Sequence, residues 1–228
     1  DGFMQEYVSL LPDRLVRLPE GIDKIVAAFT EIVSVSYHAI SRFQKFSHQR
    51  RHTIGVWGDG NLGYITSLLL KKMLPNSKIY IFGVNANKLS DFSFADETYL
   101  VSEIPENLML DHAFECVGGN GSAIAINQII DYIQPEGTIS ILGVSEDPAA
   151  INTRMVLEKG LHIFGSSRSG RADFEGLMEL YKENPDIPED LENIVGTTFE
   201  VASIKDMTEA FETDIHKLIG KTVMIWNG

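Results

Sequence analysis

Gly58-Asp59-Gly60-Asn61-Leu62-Gly63 stands between an apolar run, Thr53-Ile54-Gly55-Val56-Trp57, and a helix-like run from Tyr64 to Met73. A G-x-G-x-x-G turn between strand and helix is chemistry for an anion, above all the pyrophosphate of a dinucleotide. The first glycine permits the tight turn, the second lets backbone approach phosphate oxygen, and the third lets helix pack close to strand. The helix N-terminus then points its N–H groups at the anion. Gly58, Gly60, Asn61, Leu62 and Gly63 are therefore candidate pyrophosphate ligands. The competing reading is a merely structural turn, and the strand before and helix after weigh against it.

A dinucleotide fold that prefers NAD usually offers Asp or Glu to the ribose hydroxyls about 20 residues further on, at the end of the second strand. The next apolar run here, Lys78-Ile79-Tyr80-Ile81-Phe82, ends in Gly83. The following Val84-Asn85-Ala86-Asn87-Lys88 stays neutral or basic until Asp91. A carboxylate would repel a 2′-phosphate, whereas glycine leaves room for one and Asn85 and Lys88 bring donors. The reading is NADP(H) over NAD(H). Its alternative makes Gly83 the start of a turn and Lys88 a solvated surface charge.

Around this turn the rhythm is strand, helix, strand, helix. Strands are expected at Thr53–Trp57, Lys78–Phe82, Thr98–Val101, His112–Glu115, Thr138–Leu142 and His162–Phe164, and helices at Leu62–Met73, Ser122–Ile133, Asn152–Glu158 and Ala172–Asn184. That alternation specifies an α/β fold, a doubly wound parallel six-stranded Rossmann sheet in the order 3-2-1-4-5-6. Ligands of such sheets sit off the carboxyl ends of the strands. Three more loops then face the same crevice: Cys116-Val117-Gly118-Gly119, Leu142-Gly143-Val144-Ser145, and Gly165 to Arg171. Cys116, Val117, Gly118, Leu142 and Gly143 join the candidate cofactor bed. Cys116 itself, at the end of an apolar strand, reads as buried filler and not as a nucleophile.

On either side of that pattern the elements are shorter. Phe3 to Leu10 alternates weakly, as an edge strand might, and Leu15–Pro19 is a second extended piece. Ile22 to Phe46 holds two helical stretches. After Asn184, Pro185 and Pro188 are expected to break the helix. Gly196–Val201 and Lys221–Trp226 read as strands, and Ser203–Asp214 as a helix capped by Ser203 with Asp206 as reciprocal partner.

A chain of 228 residues with a net charge of -13 is a poor match for nucleic acid. No apolar stretch is long enough to span a bilayer. His48, Arg50, Arg51 and His52 form the main basic cluster and read as a solvated connector. A single cysteine rules out an internal disulfide or a cysteine-cluster zinc site and fits a reducing cytoplasm. The opening Asp1-Gly2-Phe3-Met4 has no signal-peptide pattern, and its lack of an initiator methionine suggests part of a longer protein.

The order of pieces resembles the zinc-type medium-chain dehydrogenases/reductases, the alcohol and polyol dehydrogenase superfamily. The likeness runs through Gly2 to Tyr7, Leu15 to Pro19, Phe29-Thr30-Glu31 with Tyr37-His38-Ala39, Gly58 to Gly63, Glu115 to Gly118 and Gly220 to Val223. Phe94 to Tyr99 and Gly165 to Phe174 are most similar to ribulose-5-phosphate reductases, also called ribitol-5-phosphate dehydrogenases. Those enzymes supply ribitol phosphate for CDP-ribitol and for teichoic-acid or capsule synthesis.

The resemblance implies a nucleotide-binding domain at residues 46–185. It assigns 1–45 to a remnant of a barrel-like (GroES-like) catalytic domain with its connecting helix, and 186–228 to a segment returning to that domain. It implies NADPH-dependent reduction of ribulose 5-phosphate, zinc in the full-length protein, a homodimer, and coupling to a ribitol-5-phosphate cytidylyltransferase. By the same resemblance Glu31 is the acidic residue near the metal, Val35 packs behind the nicotinamide, and Lys221 reaches a cofactor phosphate. Arg168 and Arg171 are candidates for an anion clamp, since guanidinium grips phosphate bidentately. One glutamate cannot hold zinc, so this chain alone is expected to bind cofactor and turn over little. The alternatives are an unphosphorylated-polyol dehydrogenase, a methyltransferase, or a nucleotide-binding module without catalysis. Gly83 weighs against the methyltransferase.

Overall fold

The computed structural model describes residues 7–216 and 220–226. The chain divides into two compact units, Ile32–Arg168 and the pair of segments Asp1–Glu31 with Ser169–Gly228.

In the first unit, the apolar runs become β1 (Thr53–Trp57), β2 (Lys78–Gly83), β3 (Glu97–Leu100), β4 (Leu110–Glu115), β5 (Ile133–Ile141) and β6 (His162–Gly165). Every pairing is parallel, in the order β3-β2-β1-β4-β5-β6. This is the expected doubly wound topology, with its switch point between β1 and β4. The helices of this unit run from α2 (Thr30–Phe46), whose first residues belong to the other unit, through α3 (Asn61–Met73), α4 (Ala86–Leu89) and α5 (Ser122–Tyr132) to α6 (Thr153–Glu158). The short α1 (Lys24–Ala27) precedes α2, so Ile22–Phe46 does hold two helices. Asp23 caps α1 by accepting from Ile25 N at 2.7 Å.

The sheet is buried on both faces because alternate side chains serve alternate layers. His112 and Phe114 of β4 meet Phe43 of α2 edge-on. Ala113, between them, joins Trp57, Phe82, Ile139 and the α5 isoleucines 126, 129 and 130 in the opposite layer. Trp57 stacks on Phe82 with centroids 3.8 Å apart.

β5 starts five residues before the expected Thr138, at Ile133. Ile133 pairs with Leu110, and the register then shifts before His112 meets Thr138. Pro135 and the left-handed Glu136 (φ 65°) occupy that irregularity, where a missing amide and a positive φ are tolerated.

In the second unit, α7 (Arg171–Glu183) is followed by α8 (Asp186–Leu191), not by an unstructured break. Pro185 is the N-cap of α8 and Pro188 lies in its first turn, where a missing N–H costs nothing. The prolines therefore end one helix and start another. β7 (Val195–Val201), α9 (Ile204–His216) and β8 (Lys221–Trp226) complete a parallel two-stranded unit. The expected cap of α9 forms: Asp206 Oδ2 accepts from Ala202 N and Ser203 N, and Ser203 Oγ accepts from Asp206 N. Residues 7–10 and 15–19 carry no strand, and the rest of the expected Phe3–Leu10 strand lies outside the described residues. With no pairing partner, an extended segment has no ladder to satisfy.

Candidate functional site

The carboxyl edge of the six-stranded sheet carries the glycine turns. The parallel ladder continues past each strand end: Gly58 N donates to Phe82 O, Cys116 N to Trp57 O, Leu142 N to Glu115 O and Ser166 N to Ile141 O, all at 2.8–3.0 Å. These bonds gather the loops after β1, β4, β5 and β6 along one edge.

At the first turn Gly58 has φ 130°, a backbone region closed to side chains. A Cβ on Gly63 would collide with Gly58 O, so α3 and the turn touch backbone to backbone. Gly60 is the N-cap of α3, with no side-chain cap and no atom within 4 Å of a would-be Cβ. The positive end of α3 is thus left to an external anion beside open space, which is what a pyrophosphate needs. These residues fit a dinucleotide.

The second and third loops are organised by one fully buried carboxylate, Glu115. Its Oε1 accepts from Val117 N at 3.0 Å and Gly118 N at 2.8 Å, and its Oε2 from Gly143 N at 3.2 Å. Gly118 is left-handed (φ 67°), and a Cβ there would lie 2.7 Å from Val144 O. Gly119 N donates to that same carbonyl at 2.7 Å. Glycine is therefore required for the two loops to approach. Val117 and Leu142 flank this seam, Val117 half-exposed and Leu142 buried.

Cys116 is buried, and desolvation pushes its thiol up to about 12. It stays a thiol at neutral pH, in keeping with a packing role. Its Sγ lies 3.6 Å from Thr66 Oγ1, which lies 3.0 Å from Ser36 Oγ. This polar chain ties β4, α3 and α2 together one residue from the half-buried Val35.

The end of β2 differs from expectation. Gly83 brings no acid of its own, but Asp59 does: its Oδ2 accepts from Val84 N and Asn85 N, each at 2.8 Å. A Cβ at Gly83 would stand 2.7 Å from that oxygen, so glycine here first makes room for Asp59. Asn85 Oδ1 caps α4 by accepting from Asn87 N and Lys88 N. Sequence reasoning passed over Asp59 because its partners lie 25 and 26 residues away.

The basic cluster ahead of β1 is structural and not a solvated connector. Arg50 Nε donates to the buried Asp111 at 2.7 Å and its Nη2 to Pro135 O. Arg51 donates to Gln44 O, Ser47 O and His48 O, capping the end of α2. Asp111 also accepts from His52 N, Thr53 N and Gln134 Nε2. Desolvation, with His48 nearby, lowers His112 from 6.5 to about 3. Its Nδ1 accepts from Thr138 N at 3.1 Å.

Of the remaining candidates, Arg168 ends the first unit, and Arg171, Lys221 and Glu31 belong to the second. Arg168 is exposed with φ 65°, a strained conformation for a long side chain. Arg171 donates to Glu175 Oε1 and Asp13 O, both at 2.7 Å, so its Nε and Nη1 are already used. It lines a cleft of about 650 Å³ in the second unit with Arg14, Leu15, Thr30, Ser169 and Phe174. Lys221 lies 4.0 Å from Asp214. Glu31 is an exposed residue of α2. Among the described residues no three His, Cys, Asp or Glu side chains converge as a metal site, so they do not fit zinc. No described helix is long and apolar enough to cross a membrane.

Residues 80–183 match the model of the zinc-binding dehydrogenase family. Ribulose-5-phosphate reductase 1 of Staphylococcus aureus is 57% identical over 226 residues, and the reductase of Bacillus spizizenii is 54% identical over the same length. Each alignment takes in 99% of this chain and 66% of the relative, so the chain spans just under two thirds of those relatives. The crystal structure of S. aureus TarJ in complex with NADPH superimposes with a TM-score of 0.96 at 56% identity, covering 100% of this chain and 72% of that one. The chain therefore belongs to the zinc-binding dehydrogenase family, on the branch of the ribulose-5-phosphate reductases.

Proposed function

We propose that this chain is the nucleotide-binding part of an NADPH-dependent reductase that converts D-ribulose 5-phosphate to D-ribitol 5-phosphate. The observation that carries the reading is the 56% identity to a protein crystallised with NADPH, over a crevice where Gly58, Gly63, Gly83, Gly118 and Gly143 each stand where a side chain would be strained or collide. Bound NADPH would supply a hydride to the C2 ketone of the sugar phosphate. Gly58, Gly60, Asn61, Leu62 and Gly63 bind its pyrophosphate. Asn85 and Lys88 receive the 2′-phosphate. Cys116, Val117, Gly118, Leu142, Gly143 and Val35 shape the nicotinamide side. Arg168 and Arg171 are the residues assigned to the substrate's phosphate, which for Arg171 leaves Nη2 as the donor. Glu31 is assigned to the neighbourhood of a zinc held by other residues of the full-length protein.

The product would feed CDP-ribitol and teichoic-acid or capsule synthesis, in the cytoplasm, with a ribitol-5-phosphate cytidylyltransferase as the consuming enzyme. A homodimer is part of the same reading. β6 is an edge strand of the sheet, and an unpaired parallel edge favours self-association.

NADPH oxidation by the intact protein tests the reading, with ribulose 5-phosphate, ribulose and xylulose as competing substrates. Ribulose 5-phosphate should win by at least about tenfold in kcat/KM. Equal rates on the unphosphorylated ketoses would transfer the assignment to a polyol dehydrogenase.

A further inference from the structure

The carboxylate at the end of β2 comes from the pyrophosphate turn. Asp59 accepts two amides on one oxygen, Val84 N and Asn85 N, and it occupies the space that a side chain at Gly83 would need. This has three consequences. The main-chain donors that follow β2 are consumed, so they are not available to a phosphate. The turn after β2 is tied to the glycine turn by charge-assisted bonds, about twice as strong as neutral ones. And Asn85 is held from both ends, by its N–H on Asp59 and by its Oδ1 on the amides of Asn87 and Lys88. The Asn85 side chain then has only its NH₂ left to offer, three residues from Lys88.

We propose that Asp59 is a positioning residue for 2′-phosphate selectivity. It holds the turn so that Asn85 Nδ2 and Lys88 Nζ meet the 2′-phosphate of the adenosine ribose. At the same time its own acceptor is turned inward onto backbone. A carboxylate at this edge ordinarily selects the unphosphorylated ribose by accepting its hydroxyl. Here what the carboxylate faces, and not its mere presence, decides the outcome. The inference rests on the NADP(H) reading above and deepens it.

The test is calorimetric titration of the intact protein with NADPH and NADH, which differ only by the 2′-phosphate, comparing wild type, Asp59→Ala and Asp59→Asn. Wild type should bind NADPH at least about tenfold more tightly than NADH, a difference of about 1.4 kcal/mol. Asp59→Ala should keep its NADH affinity within about twofold and lose most of that preference. Asp59→Asn retains one accepting oxygen and the same shape, so it should fold and restore part of the preference. If either variant weakens both nucleotides alike, or keeps the full preference, Asp59 serves only the pyrophosphate turn and the proposal is overturned. A wild-type protein that does not distinguish the two nucleotides would instead sink the NADP(H) reading, and this inference with it.

Discussion

At the amino edge of the six-stranded sheet, the buried Asp111 is closed off from within. Arg50, Gln134 and two amides converge on it, and Pro135 O takes the other end of the guanidinium. At the carboxyl edge, Glu115 and Asp59 are satisfied by loop amides alone, with no cation within their hydrogen-bond sets. A glycine packs against each of them, Gly143 against Glu115 and Gly83 against Asp59. One fold thus uses acids in two ways. Ringed by side chains, a carboxylate closes an edge. Ringed by backbone amides in glycine loops, it shapes an edge and leaves the outward space to a ligand. The amino edge should therefore govern stability and the carboxyl edge affinity.

The largest break in that division should come from Asp111→Ala. It strands the Arg50 guanidinium and two amides, and about 3 kcal/mol of stability should go with it. Urea midpoints report the loss, while NADPH affinity of the folded fraction should stay within about twofold. A tenfold fall in affinity would show that the two edges are not separable.

Acid should act on the same edge. His112 has a folded pKa of about 3 against 6.5, so below pH 6.5 the unfolded chain binds more protons than the folded one. Its stabilising contribution is complete above pH 6.5 and is lost as pH falls toward 3, at up to about 1.4 kcal/mol per pH unit. Between pH 6.5 and 5 the urea midpoint should drop, and His112→Gln should flatten that drop. Arg50, Arg51, Asp111 and His48 stand around the ring and remain in the variant. An unchanged slope would reassign the effect to other groups.

At the carboxyl edge, Gly63→Ala drives a Cβ into Gly58 O, so the turn must open. Overpacking of this kind costs about 2 kcal/mol. Here it should appear as a loss of NADPH affinity of more than about tenfold by fluorescence titration, with the far-ultraviolet dichroism intact. The smallest effect is reserved for Glu115→Gln. Its amide keeps one acceptor for Val117 N and Gly118 N but turns an NH₂ toward Gly143 N. About 1 kcal/mol is expected, read as a roughly fivefold weaker cofactor and a minor shift in the thermal midpoint. A stability loss as large as that of Asp111→Ala would erase the contrast between the edges.

Much of the fold was legible in the chain because its cues are local. Thr53–Trp57 is a run of apolar residues closed by a glycine turn, and it is β1 to the residue. Ser203 and Asp206 are three apart, and they cap α9 as expected. Pro188 misled because its effect depends on its position within a helix, and that position follows from Pro185 as the N-cap. Arg50 and Arg51 looked like surface charges because their acceptors, Asp111 and the end of α2, come together only on folding.

Sequence by itself determined the strand order, the glycine turn after β1 and the family, since each rests on periodicity or on motifs a few residues long. Tertiary structure alone decided what the acids do. Asp59 reaches Val84 and Asn85 across 25 and 26 residues, and Asp111 reaches Arg50 across 61. Such pairings are set by which strands lie side by side, a global property of the chain that no local pattern encodes.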